Sequence, residues 1–252
     1  MPSINPLNNR VNEGENLANH VALVTGSSRG IGKAIALKLA SLGAAIAACG
    51  RDKKALAETE QELKKINSRV YAHLADVTKS ADVAALVAAT EQKLGAISIL
   101  VNNAGMGLFG PVQDKSEEEW DRLMNTNLKS VFLVSKAVVP LMIQRQRGDI
   151  VNISSLAGKN TFAGGGIYCA SKWGLQGLTG CMAEDLRGYG IRVSAICPGS
   201  VATEFSGRGP KDASKVLTAE DVAHTVAMVL LQGPQSFISE VHLRPVAKPG
   251  KA

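Results

Sequence analysis

Short apolar runs alternate with longer amphipathic stretches along most of this chain, from residue 20 onward. The short runs are rich in β-branched residues, which is typical of buried strands, and the longer stretches have the apolar spacing of helices. The predicted strands are residues 21–25, 44–49, 70–74, 97–101, 150–153 and 191–196. The predicted helices are residues 31–42, 53–66, 81–94, 117–144 and 166–188.

This order of elements predicts the fold class. Strands that are apolar almost throughout and alternate with helices are typical of a parallel sheet covered on both faces. Right-handed crossovers then give a single-domain, doubly wound α/β protein, a Rossmann fold, which binds ligands at the carboxyl ends of its strands. We predict one domain over residues 20–246, with a flexible N-terminal tail (1–19), or an arm packed on a neighbouring surface, and a basic C-terminal tail (247–252).

Composition narrows the classes of function. The 252 residues are 45% hydrophobic and 20% charged, as in soluble globular proteins. No apolar run approaches the length of a membrane span and the N-terminus lacks a signal-peptide pattern, so we predict a cytoplasmic protein without membrane contact. The net charge of +6 is spread along the chain and aromatic residues make up 4%, which disfavours nucleic-acid binding.

The positions of cysteine and histidine indicate no metal site. The four cysteines form no C-x-x-C pair, and the four histidines are equally scattered. Free, mostly buried thiols in a reducing compartment are therefore expected for Cys49, Cys169, Cys181 and Cys197.

A glycine-rich turn connects the first predicted strand to the first predicted helix. In residues 25–32, Thr-Gly-Ser-Ser-Arg-Gly-Ile-Gly, the glycines allow a tight turn and close approach of the backbone to a pyrophosphate, and the helix N-terminus supplies N–H groups. The spacing is not that of the commonest dinucleotide motif, so a purely structural turn stays open on this evidence alone. Its position inside a β-α-β unit favours dinucleotide binding.

Tyr168 and Lys172 are four residues apart in a predicted helix, so their side chains share one face. The ordinary pKa of a phenol is about 10, and a neighbouring ammonium group is expected to lower it toward neutral pH. Ser155, thirteen residues before Tyr168, offers a hydroxyl that could hold the oxygen of a carbonyl or alcohol. These groups predict proton-transfer chemistry, although the Tyr-x-x-x-Lys spacing alone is also common on solvated helix faces.

Several motifs, in order along the chain, resemble those of the short-chain dehydrogenases/reductases. They are the Thr-Gly-x-x-x-Gly-x-Gly turn, Asn-Asn-Ala-Gly at 102–105, Asn127, Ser155, Tyr168 with Lys172, and Pro-Gly-Ser-Val-Ala-Thr at 198–203. The resemblance implies an NADP-dependent oxidoreductase acting on CH–OH groups. It implies that Tyr168 donates a proton to the carbonyl oxygen and that Ser155 positions that oxygen. Lys172 would hold the nicotinamide ribose and lower the phenol pKa, and Asn127 would fix a water that connects Lys172 to solvent.

The charge that follows the second strand predicts the cofactor. An NAD-specific site has an acidic residue there, whereas this strand ends in Cys-Gly-Arg, and Asp52 comes later, where it could cap the next helix. Arg51 and Arg29 could bind the 2′-phosphate of NADP(H), or could be ordinary surface arginines. Similar reductases with basic residues at both places use NADP(H), so we predict that cofactor. The cofactor-binding residues implied by the resemblance are Gly26, Ser28, Arg29, Gly30, Ile31, Gly32, Arg51, Asp76 (at the adenine), Val77, Asn102, Ala104, Gly105, Tyr168, Lys172, Pro198, Gly199, Val201 and Thr203.

The nearest resemblance is to bacterial 3-oxoacyl-acyl-carrier-protein reductases of fatty acid biosynthesis. It implies a 3-oxoacyl thioester as substrate and a homo-oligomer, either dimer or tetramer. Residues 204–215 are the expected polar lid, and Arg208, Lys211 and Lys215 in it could contact an acidic carrier protein or could simply be solvated. Residues 239–245 depart from the glycine-rich end of those reductases, which weakens the inference of substrate and tetramer. Another ketone or alcohol (diketone, sugar, steroid-like) and a non-enzymatic NADP-sensing or scaffold role stay open.

Overall fold

The computed structural model describes residues 16–206, 215–233 and 235–247. Its strands are β1 (Val21–Val24), β2 (Ala45–Gly50), β3 (Val70–Leu74), β4 (Ile99–Asn102), β5 (Gly148–Ile153), β6 (Ile191–Pro198) and β7 (Glu240–Leu243). Over the described residues they form one parallel sheet in the order β3-β2-β1-β4-β5-β6-β7. The strand order reverses beside β1, where doubly wound folds have their ligand crevice. The predicted fold class is confirmed.

Helices cover both faces of this sheet. They are α1 (Gly30–Ser41), α2 (Lys53–Ile66), α3 (Ser80–Leu94), α4 (Glu117–Met124), α5 (Ser130–Arg145), α6 (Gly166–Leu186) and α7 (Ala219–Leu230). Ala22 and Val24 of β1 share a buried cluster with α1, α2 and α7, whereas Val21 and Leu23 share one with α3, α5 and α6. Both faces of the strand are thus buried, which explains why its sequence is apolar throughout.

A π-helical turn interrupts the long helix that the sequence predicts over residues 117–144. The turn spans Asn125–Lys129 and joins α4 to α5. A π-turn inserts one extra residue into the helical repeat, and such turns are frequent at functional sites. The residues that it buries are Thr126 and Asn127.

The continuous helical stretch Glu117–Arg145 is long and apolar enough to cross a membrane by length and composition. The stretch is not an unbroken apolar run, since Lys129 and Lys136 interrupt it, and it passes the test on its mean hydropathy. Within the fold, 44% of its most apolar window is buried, and Val134, Val138 and Met142 of α5 pack against the sheet. We assign it as a core helix, since such helices pass the same test.

The chain beyond β6 adds two elements that were not predicted. Helix α7 begins with a capping box in which Thr218 accepts a hydrogen bond from the Asp221 N–H (3.1 Å). Strand β7 then lies at the sheet edge, with His242 in register with Cys197 of β6. The segment 239–245, which departs from the family pattern, thus contains an edge strand.

The two predicted tails fall largely on residues 1–15 and 248–252, outside the described residues, and the lid prediction falls partly on 207–214, which are also outside them. The described end of the predicted N-terminal segment, residues 16–19, adjoins the domain. Leu17 is buried, and its N–H donates to the Leu42 carbonyl (2.7 Å), so the packed domain already includes it.

Candidate active site

A cleft of about 1440 Å³ opens at the carboxyl ends of the strands. It is lined by most of the residues that the sequence predicted for the site. Those lining residues are Gly26, Ser28, Arg29, Gly30, Ile31, Gly32, Arg51, Asp76, Val77, Ala104, Gly105, Ser155, Tyr168, Lys172, Pro198, Gly199, Val201 and Thr203. The structure places Asn102 and Asn127 elsewhere, buried behind the cleft wall.

The glycine turn after β1 is built for close contact. Gly26 has a φ of 64°, a conformation that disfavours residues with a side chain. A Cβ on Gly32 would lie 2.3 Å from the Gly26 carbonyl oxygen, so the first turn of α1 can pack on the loop only with glycine there. Thr25 closes the base of the turn, because its hydroxyl accepts hydrogen bonds from the N–H groups of Asn103 (2.9 Å) and Ala104 (3.0 Å).

Asn102 does not line the adenosine side of the cleft, contrary to the prediction. Its amide donates to Ser135 (3.2 Å) and to Asn152 (2.9 Å), so it joins β4 to β5 inside the sheet. The next residue, Asn103, takes the cleft position instead and donates to the Thr25 carbonyl (3.0 Å). In an extended strand neighbouring side chains point in opposite directions, so the Asn-Asn pair divides into one sheet residue and one turn residue.

Two arginines stand at one end of the cleft. The Arg29 side chain is 63% exposed and contacts Asp52 (3.8 Å) and Glu204 (3.4 Å). Asp52 also caps α2 by accepting from the N–H groups of Lys54 and Ala55, which confirms the capping role considered for it. A Cβ at Gly50 would lie 3.0 Å from the Ser28 hydroxyl, so the end of β2 has little room for a side chain.

Asp76 follows β3 on the same side of the cleft. Burial would raise the pKa of its carboxyl, but hydrogen bonds from Thr78 and the positive charges of Arg51 and Lys79 outweigh burial and lower the pKa. The carboxylate accepts from the Thr78 hydroxyl (2.8 Å) and N–H (3.1 Å). An ionised acceptor is therefore held at the position where the sequence predicted contact with the adenine amino group.

Ser155, Tyr168 and Lys172 meet at the other end of the cleft. Tyr168 and Lys172 are buried on α6, with the Lys172 ammonium 5.9 Å from the centre of the Tyr168 ring. The Ser155 side chain lies close enough to the Tyr168 phenol to lower its pKa. Lys172 Nζ donates to the carbonyl of Ile153 at the end of β5 (3.0 Å). The thirteen-residue interval that selected Ser155 thus brings its hydroxyl to the phenol.

The direction predicted for the phenol pKa was wrong in this structure. Burial raises the pKa of Tyr168 to about 12, even though the Ser155 hydroxyl lowers it. Burial also lowers the pKa of Lys172 to about 8, partly offset by the nearby Cys197. Loss of hydration, which disfavours the phenolate, thus has a larger effect on the Tyr168 pKa than the interactions that favour the phenolate. At neutral pH the phenol carries its proton, which suits a proton donor.

Asn127 positions α6. Its carbonyl oxygen accepts from the Met106 N–H (2.8 Å), and its amide donates to the Met106 carbonyl (2.9 Å) and to Ser171 (3.1 Å). Ser171 in turn donates to the Tyr168 carbonyl (2.8 Å). These bonds connect the loop after β4 to the helix that carries the tyrosine. The water-holding role predicted for Asn127 stays a prediction.

An aromatic wall around Tyr168 was missed by the sequence analysis. We call Phe109, Phe162 and Phe205 the phenylalanine wall; they are three of the five phenylalanines in the chain. The centres of the Phe109 and Phe205 rings lie 5.2 Å and 6.0 Å from that of Tyr168, both edge to face. Phe162 is tilted against Phe109 at 6.1 Å. The three come from separate loops, so no local sequence pattern marked them.

A second polar cluster joins β6 and β7. Possible ligand atoms of Cys197, Glu240 and His242 lie within 4.8 Å of one another, although their sequence spacing had suggested no such grouping. Lys159 already pairs with Glu240 (2.7 Å), and the Gln176 amide donates to the Cys197 sulfur (2.9 Å). The protein's own donors therefore account for this cluster as a hydrogen-bonded network.

Comparison with known proteins places this geometry among enzymes. The sequence profile of the short chain dehydrogenase family matches residues 20–213. A ketoacyl reductase assigned to the granaticin polyketide synthase of Streptomyces violaceoruber is 43% identical over 193 residues, 76% of this chain and 71% of the relative. The crystal structure of a metagenomic short-chain oxidoreductase with NADP has 42% identity and a TM-score of 0.81, over 92% of this chain and 99% of that one. Actinorhodin polyketide ketoreductase with NADPH has 30% identity and a TM-score of 0.84, over 91% and 98%.

Proposed function

The chain belongs to the short-chain dehydrogenase family, and we propose that it catalyses the NADPH-dependent reduction of a carbonyl group to a secondary alcohol. The observation that carries this proposal is the placement of Ser155, Tyr168 and Lys172 together on the wall of the cleft, with Ser155 close enough to the phenol to lower its pKa. A protein that only senses a cofactor has no need of such a proton donor, and the oxidoreductases that match this chain support an enzyme.

The proton-transfer step follows from the states of these side chains. The Tyr168 pKa of about 12 keeps the phenol protonated at neutral pH, so it can donate its proton to the carbonyl oxygen as negative charge develops there. The Ser155 hydroxyl, beside the phenol, is placed to share that charge. The ammonium of Lys172, 5.9 Å from the ring centre, stabilises the phenolate that remains.

The other end of the cleft fits a phosphorylated dinucleotide. The close packing of Gly32 on Gly26 leaves backbone at the start of α1 open to phosphates. Arg29 and Arg51 would hold the 2′-phosphate, and Asp76 would accept from the adenine amino group. When bound, NADPH supplies the hydride. The NADP named for one matching structure and the NADPH named for another support this choice.

The substrate predicted from the sequence is a 3-oxoacyl thioester. The ketoacyl reductase and polyketide ketoreductase among the similar proteins support it. The homo-oligomer and the cytoplasmic location stay predictions as well. Another ketone remains the alternative substrate, and the phenylalanine wall favours it, as argued below.

The reaction is tested by following NADPH absorbance with acetoacetyl-CoA, plain ketones, diketones and sugars. Tyr168→Phe should lower turnover at least about a hundredfold, because the proton donor is lost while the ring still packs. The same variant should bind NADPH as the parent does in a thermal-shift assay. Near-normal turnover of Tyr168→Phe would remove the tyrosine from the mechanism. Complete inactivity of the parent protein over the whole panel would favour a non-enzymatic role.

Cofactor choice has its own test. Arg51→Ala should weaken NADPH binding more than NADH binding, since only NADPH carries the 2′-phosphate. Arg187→Ala is the matched control, because Arg187 is exposed, pairs with Glu184 and does not line the cleft. Tighter binding of NADH than of NADPH by the parent protein would overturn the assignment.

A further inference from the structure

The phenylalanine wall lies beside the tyrosine that would protonate the substrate carbonyl. Tyr168 presents its phenol among rings that lie edge to face with it on two sides, Phe109 at 5.2 Å and Phe205 at 6.0 Å. Phe162 continues the wall from Phe109 at 6.1 Å. A carbonyl compound that reaches the phenol therefore comes close to these aromatic rings.

Two of these rings are still partly exposed to solvent. Phe162 is 49% exposed and Phe205 is 40% exposed, although both line the cleft. Exposed aromatic surface in a concave site is where an apolar ligand gains most from burial. Aromatic groups gain further from tilted or edge-to-face contacts at the spacings that these rings already adopt with one another.

Two glycines make room for the wall. A Cβ on Gly107 would lie 2.8 Å from Phe109 and 2.9 Å from Phe205, and a Cβ on Gly165 would lie 2.7 Å from Phe162. The rings could not hold these positions beside alanine without shifting. The backbone around the wall is therefore matched to the ring positions.

Charge at this end of the cleft is sparse. Among the described lining residues, the charged groups beside the wall are Lys172, which the mechanism uses, and Glu204, which follows Thr203, precedes Phe205 and is paired with Arg29 (3.4 Å). Because Glu204 is paired with Arg29, the two together add little net charge beside the wall that could attract a phosphorylated carrier or coenzyme. An uncharged, apolar compound fits this surrounding better.

We infer that the phenylalanine wall makes the enzyme selective for ketones whose carbonyl belongs to, or is attached to, a flat apolar ring. A flat ring fills the space between tilted phenyl rings and can stack or meet them edge to face, whereas an open chain gains only contact area. This inference rests on the proposed carbonyl reduction and names the substrate class of that same site.

The experiment compares 1-tetralone with 2-decanone, two ketones with the same number of carbon atoms, and includes acetoacetyl-CoA. We expect kcat/KM with NADPH to be about tenfold higher for 1-tetralone than for 2-decanone, from two ring contacts. Phe162→Leu and Phe205→Leu should each reduce this ratio about two- to tenfold, because leucine keeps an apolar surface but removes the ring. Tyr189→Leu, at an exposed aromatic residue before β6 that is outside the cleft, should leave the ratio unchanged.

The outcomes separate the two proposals. If 2-decanone or acetoacetyl-CoA is reduced as efficiently as 1-tetralone, or if the phenylalanine variants slow both ketones equally, the selectivity is overturned and carbonyl reduction stands. If no carbonyl compound is reduced although NADPH binds, the proposed function is overturned and the selectivity with it. Melting temperatures of the variants within a few degrees of the parent, on the order seen for surface changes, would show that they fold.

Discussion

Replacing Lys172 with methionine should abolish most activity and change how stability depends on pH. The lysine is 5% exposed, and burial lowers its pKa from 10.5 to about 8. This lowering corresponds to about 3 kcal/mol by which the fold disfavours the charged lysine. Methionine has a similar length and no charge. It also lacks the N–H that the Ile153 carbonyl accepts, a loss that costs about 1–3 kcal/mol. At pH 7 the two effects nearly offset each other.

The sign of the pH dependence distinguishes these effects. Between pH 8 and pH 10.5 the unfolded lysine keeps its proton, whereas the folded one has released it. Since the unfolded state binds more protons in this window, the stability of the parent protein rises with pH there. The destabilisation of the folded state by the buried charge of Lys172 is complete below the folded pKa of about 8 and disappears above 10.5. Lys172→Met lacks this rise.

The assay is urea unfolding followed by circular dichroism at several pH values from 7 to 10. The free energy of unfolding of the parent, relative to Lys172→Met, should increase by about 2 kcal/mol across this range. Lys65→Met is the matched control, because Lys65 is exposed at the end of α2, and it should follow the parent. The same pH dependence in the parent and Lys172→Met would refute a charged lysine buried at this site.

Three further substitutions test the site and its support. Ser155→Ala should lower kcat about a hundredfold with little change in NADPH binding, measured by steady-state kinetics and titration, and unchanged kcat would exclude the serine from charge stabilisation. Gly32→Ala should destabilise the protein by about 1–3 kcal/mol and impair NADPH binding, because its Cβ would meet the Gly26 carbonyl at 2.3 Å. Gly177→Ala, which has open space around it, should leave binding intact and serves as its control. Asn127→Ala should cost about 2–3 kcal/mol in urea unfolding and also lower kcat; a loss of stability without any effect on kcat would contradict the positioning of α6.

The strands, and the helices that alternate with them, could be predicted because strands buried on both faces are apolar at almost every position. The strand predicted at 44–49, for example, lies within one residue of β2 at both ends. The π-helical turn could not be predicted in this way, because one extra residue hardly changes the apolar spacing of a long helix. Strand β7 is short and lies at an edge, with alternation too brief to distinguish from a loop.

The site was predicted to the extent that its residues belong to contiguous motifs. Ser155, Tyr168 and Lys172 meet as expected, since each follows or occupies an element that the motifs identify. The predicted direction for the phenol pKa was wrong because it took account of the nearby lysine charge and left out burial. Burial of the phenol depends on the whole fold and cannot be seen in a local motif. The phenylalanine wall was missed for a related reason, because its rings meet only after three distant loops have folded.

The π-helical turn makes the site depend on the number of residues in this stretch of the helix as well as on their identity. Removing one residue from 125–129 would restore an ordinary α-helical repeat and rotate α4 by about 100° relative to α5, since each residue turns the helix by that angle. Asn127 would then point away from Met106 and Ser171, although every functional side chain would still be present. A single deletion here should therefore be as damaging as a substitution in the active site, whereas a side chain added at Gly177, on the exposed side of α6, would meet nothing within 4 Å and should be tolerated.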